Sequence, residues 1–110
     1  MTITFDDNKL RKYANDDRLA EKKLGKREAD LYKQRLDDLA AAQTLEDVRY
    51  LPGNYHELVG NRKGKWACNL VHPYRLIFEP HEDPIPTNED GQYLWIEIKG
   101  VEIIEIEDYH

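Results

Sequence analysis

The chain has 110 residues, 40% of them apolar, and a formal net charge of −6. That length predicts one domain over residues 1–110 with two packed layers, and the negative total argues against a broad nucleic-acid-binding surface. There is no apolar run near the roughly 18 residues of a membrane span, and MTITFDDNKL lacks a basic leader before a hydrophobic segment, so a cytoplasmic protein without a membrane partner is expected.

In chain order, ITF at 3–5 reads as a short edge strand, and Asp6 and Asp7 are candidate caps for a helical turn carrying Leu10 and Tyr13. Asp16 or Asp17 opens a second helix holding Leu19, Ala20 and Leu24, and Gly25 is placed to end it. From Lys26 to Ala42 the residues Ala29, Leu31, Tyr32, Leu36, Leu39 and Ala40 recur at helical spacing, which predicts an amphipathic helix. Thr44 and Asp47 form a weak capping-box pattern before LPG at 51–53.

The second half changes character. Beyond an NRKG turn at 61–64, WACNLV is a strand candidate, and YRLIFEP is another, with Tyr74, Leu76 and Phe78 on one face and Arg75 and Ile77 on the other. Residues 79–92 carry three prolines and read as a solvent-facing excursion. Tyr93 to Lys99 alternates like a strand, Gly100 interrupts it, and VEIIEIE at 101–107 resumes with strong β propensity, leaving open whether this is one strand or two. Helices across one face of a small antiparallel sheet give an α+β fold. The single cysteine, Cys68, excludes an internal disulfide and reads as a buried thiol, and Trp66 and Trp95 read as sheet-core or partner-contact residues rather than nucleobase platforms.

Charge is unevenly distributed. Residues 1–48 carry 10 basic and 11 acidic side chains, residues 49–81 carry 5 and 2, and residues 82–110 carry 1 and 9. The basic middle could focus the field on a phosphate, and the acidic end could receive a basic partner. His56, Arg62, Lys63, Lys65, Arg75 and His110 are the candidate functional residues: histidines for proton transfer, permanent cations for negative charge, and no metal cage. Together they suit metal-independent RNA cleavage, in which the ribose 2′-hydroxyl attacks the adjacent phosphorus. Each also has a plainer reading. Arg75 suits a salt-bridged strand arginine, Arg62, Lys63 and Lys65 suit solvated turn residues, His56 suits a loop hydrogen bond, and the acidic residues after 82 suit a solvated face.

LPG at 51–53, LVGNRKGKWACNL at 58–70, YRLIF at 74–78 and EDYH at 107–110, in that order and spacing, resemble the HigB-type killer proteins of the RelE-like toxin superfamily. The resemblance covers nearly the whole chain. It implies a compact RelE-like fold and the toxin of a type II toxin-antitoxin system: a ribosome-dependent endoribonuclease that cuts translated messenger RNA, needs no cofactor, and is restrained by a HigA-type helix-turn-helix antitoxin. Contact with DNA would be indirect, through that antitoxin. Arg75 matches the family's strand arginine and would stabilise the scissile phosphate. Arg62 matches a basic loop residue, while His56 and His110 match histidines that serve proton transfer or substrate positioning. Lys63 and Lys65 would bind RNA. The chain departs from the pattern at Val59, where many relatives carry lysine. That departure and the acidic C-terminal third motivate a second reading, a catalytically weakened interaction protein that still binds a HigA-type antitoxin. A small metabolic enzyme with a His/Arg anion site is a third, with no cofactor motif behind it.

Overall fold

Short polar caps divide the N-terminal half of the chain into helices. In the computed structural model, which describes residues 1–109, strand β1 (Thr2–Phe5) leads to Asp7, whose carboxylate accepts the Lys9 N–H at 2.7 Å and starts α1 (Asn8–Asn15). Asp16 repeats the device for α2 (Asp17–Leu24), accepting the Leu19 N–H at 3.0 Å. Gly25, at φ 84°, then turns the chain into α3 (Lys26–Ala41), in a conformation that a side chain would strain. On α3 the residues Ala29, Tyr32, Leu36 and Leu39 are buried, one stripe at helical spacing. The Tyr32 hydroxyl donates to Leu10 O at 2.8 Å, tying α3 to α1. One further turn, α4 (Leu45–Val48), is closed by Asp47, which accepts the Thr44 N–H at 3.1 Å.

The remaining strands are β2 (His56–Glu57), β3 (Trp66–Asn69), β4 (Tyr74–Pro80) and β5 (Gly100–Asp108), and the sheet order is β1-β5-β4-β3-β2. The α+β expectation holds, with one difference in detail: β1 occupies an edge, as expected, but pairs with β5 in parallel, so the sheet is mixed. At the start of β1, Met1 N lies 2.6 Å from Ala42 O and 2.8 Å from Ala40 O, which holds this end of the strand at the C-terminal end of α3.

Strand alternation sorts side chains onto two unlike faces. Trp66, Cys68, Leu76, Phe78, Val101 and Ile103 point toward the helices and join the core that Tyr32, Leu36, Leu39, Leu45 and Val48 complete. Burial pushes the Cys68 thiol up to about 12, as suits an inert core thiol. On the other face Leu58, Ala67, Ile77 and Ile104 form a smaller cluster to which, among the described residues, no helix contributes.

Residues 93–99 correct the strand expectation. Trp95–Glu97 is a 3-10 turn, and β5 alone supplies the last strand. The turn drives Trp95 into the core, its ring edge-on to Trp66 with centroids 5.4 Å apart, and the Ile98 carbonyl accepts the Leu45 N–H at 3.0 Å. A straight strand could not deliver both contacts. The preceding excursion is anchored rather than loose: Glu82 accepts the Lys99 N–H at 2.8 Å, Thr87 bridges Tyr93, and Ile85 and Tyr93 lean on the core.

Candidate functional site

The helix-free face of the sheet carries the polar cluster. In the β4–β5 pairing Arg75 lies opposite Glu107 and Ile77 opposite Glu105, and a bulge then leaves Ile104 as the extra residue before Phe78 meets Ile103. Directly paired residues share a face, so Arg75, Ile77, Glu105 and Glu107 stand together. Arg62, from the 3-10 turn Gly60–Arg62 before β3, reaches over the same surface.

Glu107 is the centre of this arrangement. Its Oε2 accepts from Arg75 Nε at 2.7 Å, and Arg62 Nη1 donates to Oε1 at 2.8 Å and to Oε2 at 3.1 Å. Arg62 Nη2 also lies 3.5 Å from Glu105. Burial alone would raise the Glu107 pKa, but the hydrogen bonds from Arg75 and Arg62 outweigh it and hold this carboxyl below the ordinary carboxylate value. The other side of Arg75 is covered by Tyr109, with the guanidinium carbon 3.8 Å from the ring centroid. Arg75 is thus both salt-bridged and buried, at 8% exposure.

The other expected residues lie around this centre. His56 is on the same face, because it pairs with Ala67, which pairs with Ile77. It stands two strands away from β4, about 12 Å from Arg75 at ordinary strand spacing. Its Nδ1 lies 2.7 Å from Asn54 O, so Nε2 is the nitrogen turned to other partners. Lys63 reaches the Tyr93 ring, 5.4 Å from its centroid, and with Lys65 lines a groove of about 400 Å³ that also contains Glu79 and Glu102. That groove opens four residues along β4 from Arg75, about 13 Å away. His110 lies outside the described residues. Val59 is 83% exposed, just before the turn that carries Arg62.

Sequence reasoning missed Glu105, Glu107 and Tyr109 as partners of the arginines. The alternation of VEIIEIED against YRLIF carried the signal, since it puts acids and arginines on the apolar-poor face of both strands. The register, set across a long excursion and a bulge, was needed to join them. Chemically, two guanidinium groups are brought to one carboxylate, the kind of donor set that binds oxyanions, and His56 stands on the same sheet face.

The sequence matches the HigB-like toxin family, described as the RelE-like toxin of type II toxin-antitoxin system HigB, over residues 3–89. Among solved structures, the YoeB/ParE toxin from Agrobacterium tumefaciens is similar with a TM-score of 0.51 at 12% identity, covering 100% of each chain, a likeness of fold. No curated protein matches the chain in sequence. With the family matched over most of its length and the fold shared, the chain belongs to the HigB-like, RelE-like toxins of type II toxin-antitoxin systems, and membership implies an antitoxin partner.

Proposed function

We propose that this toxin is a ribosome-dependent messenger endoribonuclease of the cytoplasm, restrained by a HigA-type antitoxin. The observation that carries the reading is the meeting of Arg62 and Arg75 on one carboxylate, 2.8 Å and 2.7 Å away, because two guanidinium groups that close can share one phosphate. In the reaction the 2′-hydroxyl attacks the adjacent phosphorus, the bond to the 5′ oxygen breaks, and the products are a 2′,3′-cyclic phosphate and a free 5′-hydroxyl. Charge builds on the phosphate oxygens in the transition state, where Arg75 and Arg62 stabilise it. His56 and His110 exchange the protons, one taking the 2′-hydroxyl proton and one delivering a proton to the leaving oxygen. Lys63 and Lys65 hold the flanking RNA backbone. This route needs neither metal nor cofactor.

The test adds the purified protein to a translating-ribosome reaction from its own host and maps new messenger 5′ ends, with Arg75→Ala and ribosome-free controls. Cuts that require both the ribosome and Arg75 are expected. Full cleavage by folded Arg75→Ala would remove the phosphate role.

A second reading is favoured by the same ion pairs. Glu105 and Glu107 already neutralise both arginines, and Val59 stands at the family's lysine position. On this reading the protein binds its antitoxin with little or no cleavage, and stable antitoxin binding without cuts in a competent translation reaction would select it.

A further inference from the structure

A guanidinium group has two hydrogen-bonding edges, one containing Nε and one made of the two Nη groups. For Arg75, Glu107 occupies Nε at 2.7 Å and the Tyr109 ring covers one flat face at 3.8 Å. Two constraints of different kinds therefore fix the plane of the group, and among the described residues its Nη edge makes no side-chain hydrogen bond. Arg62 comes from a turn rather than a strand, and Glu107 ties its Nη1 at 2.8 Å while Glu105 lies 3.5 Å from its Nη2. Without the carboxylate between them, two cations this close would repel, and the more exposed Arg62 would swing away.

We propose that Glu107 is a positioning residue of the phosphate seat: it grips the Nε edge of Arg75 and one Nη of Arg62 so that their remaining donors address a single oxyanion. This rests on the reading of the arginine pair as the place where the scissile phosphate is held. Glu107 itself takes no proton and touches no substrate. The opposite possibility is that its carboxylate fills the seat and an incoming phosphate must expel it. The two differ in sign. A positioning residue, once neutralised, weakens the site, whereas a plug, once neutralised, frees it.

The experiment titrates inorganic phosphate into wild-type protein, Glu107→Gln and Arg75→Ala, following the arginine side-chain N–H resonances. Circular dichroism melts confirm that each variant is folded at the working temperature. Wild type is expected to keep its Arg75 Nε–H signal unmoved while phosphate shifts the Nη signals. Glu107→Gln is expected to lose the distinct Nε–H signal and to require several-fold more phosphate. Equal or tighter phosphate binding by folded Glu107→Gln overturns the proposal, as does displacement of the wild-type Nε–H signal by phosphate. In the translation-coupled reaction the same variant is expected to lose on the order of 10²-fold in rate at saturating ribosome, with a smaller change in the half-saturating concentration. Wild-type protein that binds phosphate through Arg75 yet cuts no messenger removes the nuclease reading and leaves the role of Glu107 standing, so the two failures are distinct.

Discussion

The two faces of the sheet are made from the same strands yet solve opposite problems. On the helix side, alternate residues of β3, β4 and β5 are apolar and meet α3 and α4 in a closed core. On the other side the alternate positions pair arginine with glutamate around a small apolar patch. Two carboxylates show the contrast in chemical terms. Glu28, buried in the first turn of α3 and accepting the Val71 N–H at 2.9 Å, has its pKa raised by burial. Glu107 is also penalised by burial, but two arginines reverse the outcome. One face is closed over an apolar core, and the other holds its charge in place by pairing it.

The contrast breaks most severely at Trp66. Its ring lies near Phe78, Trp95 and the Arg49 guanidinium, and it is fully buried. Trp66→Ala should cost about 3–5 kcal/mol through lost burial and a residual cavity. Urea denaturation should show this as a large fall in midpoint, with no native baseline at all if the domain is of ordinary stability.

Arg75→Ala should behave in the opposite manner. It should leave a folded protein, because Arg62 still pairs with Glu107, while translation-coupled cleavage falls roughly 10²–10³-fold, the usual effect of removing one stabiliser of transition-state charge. Arg75→Lys should recover little of this, since an ammonium cannot hold Glu107 through one edge and a phosphate through the other. Comparable losses of stability and activity in Arg75→Ala would erase the distinction between the faces.

How far these faces could be read from the chain depends on which interactions are local. The caps at Asp7, Asp16 and Gly25 and the stripe on α3 are set by residues within a turn of each other, so the N-terminal half was legible nearly to the residue. Within β4 the alternation separated Arg75 and Ile77 from Leu76 and Phe78. The parallel pairing of β1, the inward turn at Trp95 and the meeting of Arg62 with Glu107 are contacts between distant segments, and nothing near those residues encodes them. The arginines were visible as candidates, but the acid that joins them was hidden among similar acids of the C-terminal third.

The opposed carboxylates can be tested by pH. Because the folded pKa of Glu107 is lowered, its contribution is present above the unfolded carboxylate value and is lost as pH falls through the folded one. Because that of Glu28 is raised, its contribution is present below the unfolded value and is lost as pH rises through the folded one. Urea midpoints over about pH 3 to 7 should therefore show Glu107→Gln less sensitive to acid than wild type. Glu28→Gln should instead lose the decline that Glu28 contributes on the rising side, since its amide oxygen can still accept the Val71 N–H. Parallel profiles for all three proteins would mean that the two sites do not differ as described.

The smallest effect on folding is expected at Val59, and it sharpens the contrast because it adds charge without touching the core. At 83% exposure the side chain has little packing to lose, so Val59→Lys should change stability by no more than about 0.5 kcal/mol. Its consequence for RNA depends on the state of the neighbouring arginines. Glu105 and Glu107 leave the cluster near neutral, so a lysine beside the Arg62 turn would supply a cation not already committed to an acid. A several-fold rise in cleavage, with steeper salt dependence, is expected if the family's lysine serves the phosphate from this loop. If cleavage and its salt dependence both stay unchanged, a side chain at position 59 does not reach the RNA, and within this turn the contact falls to Arg62.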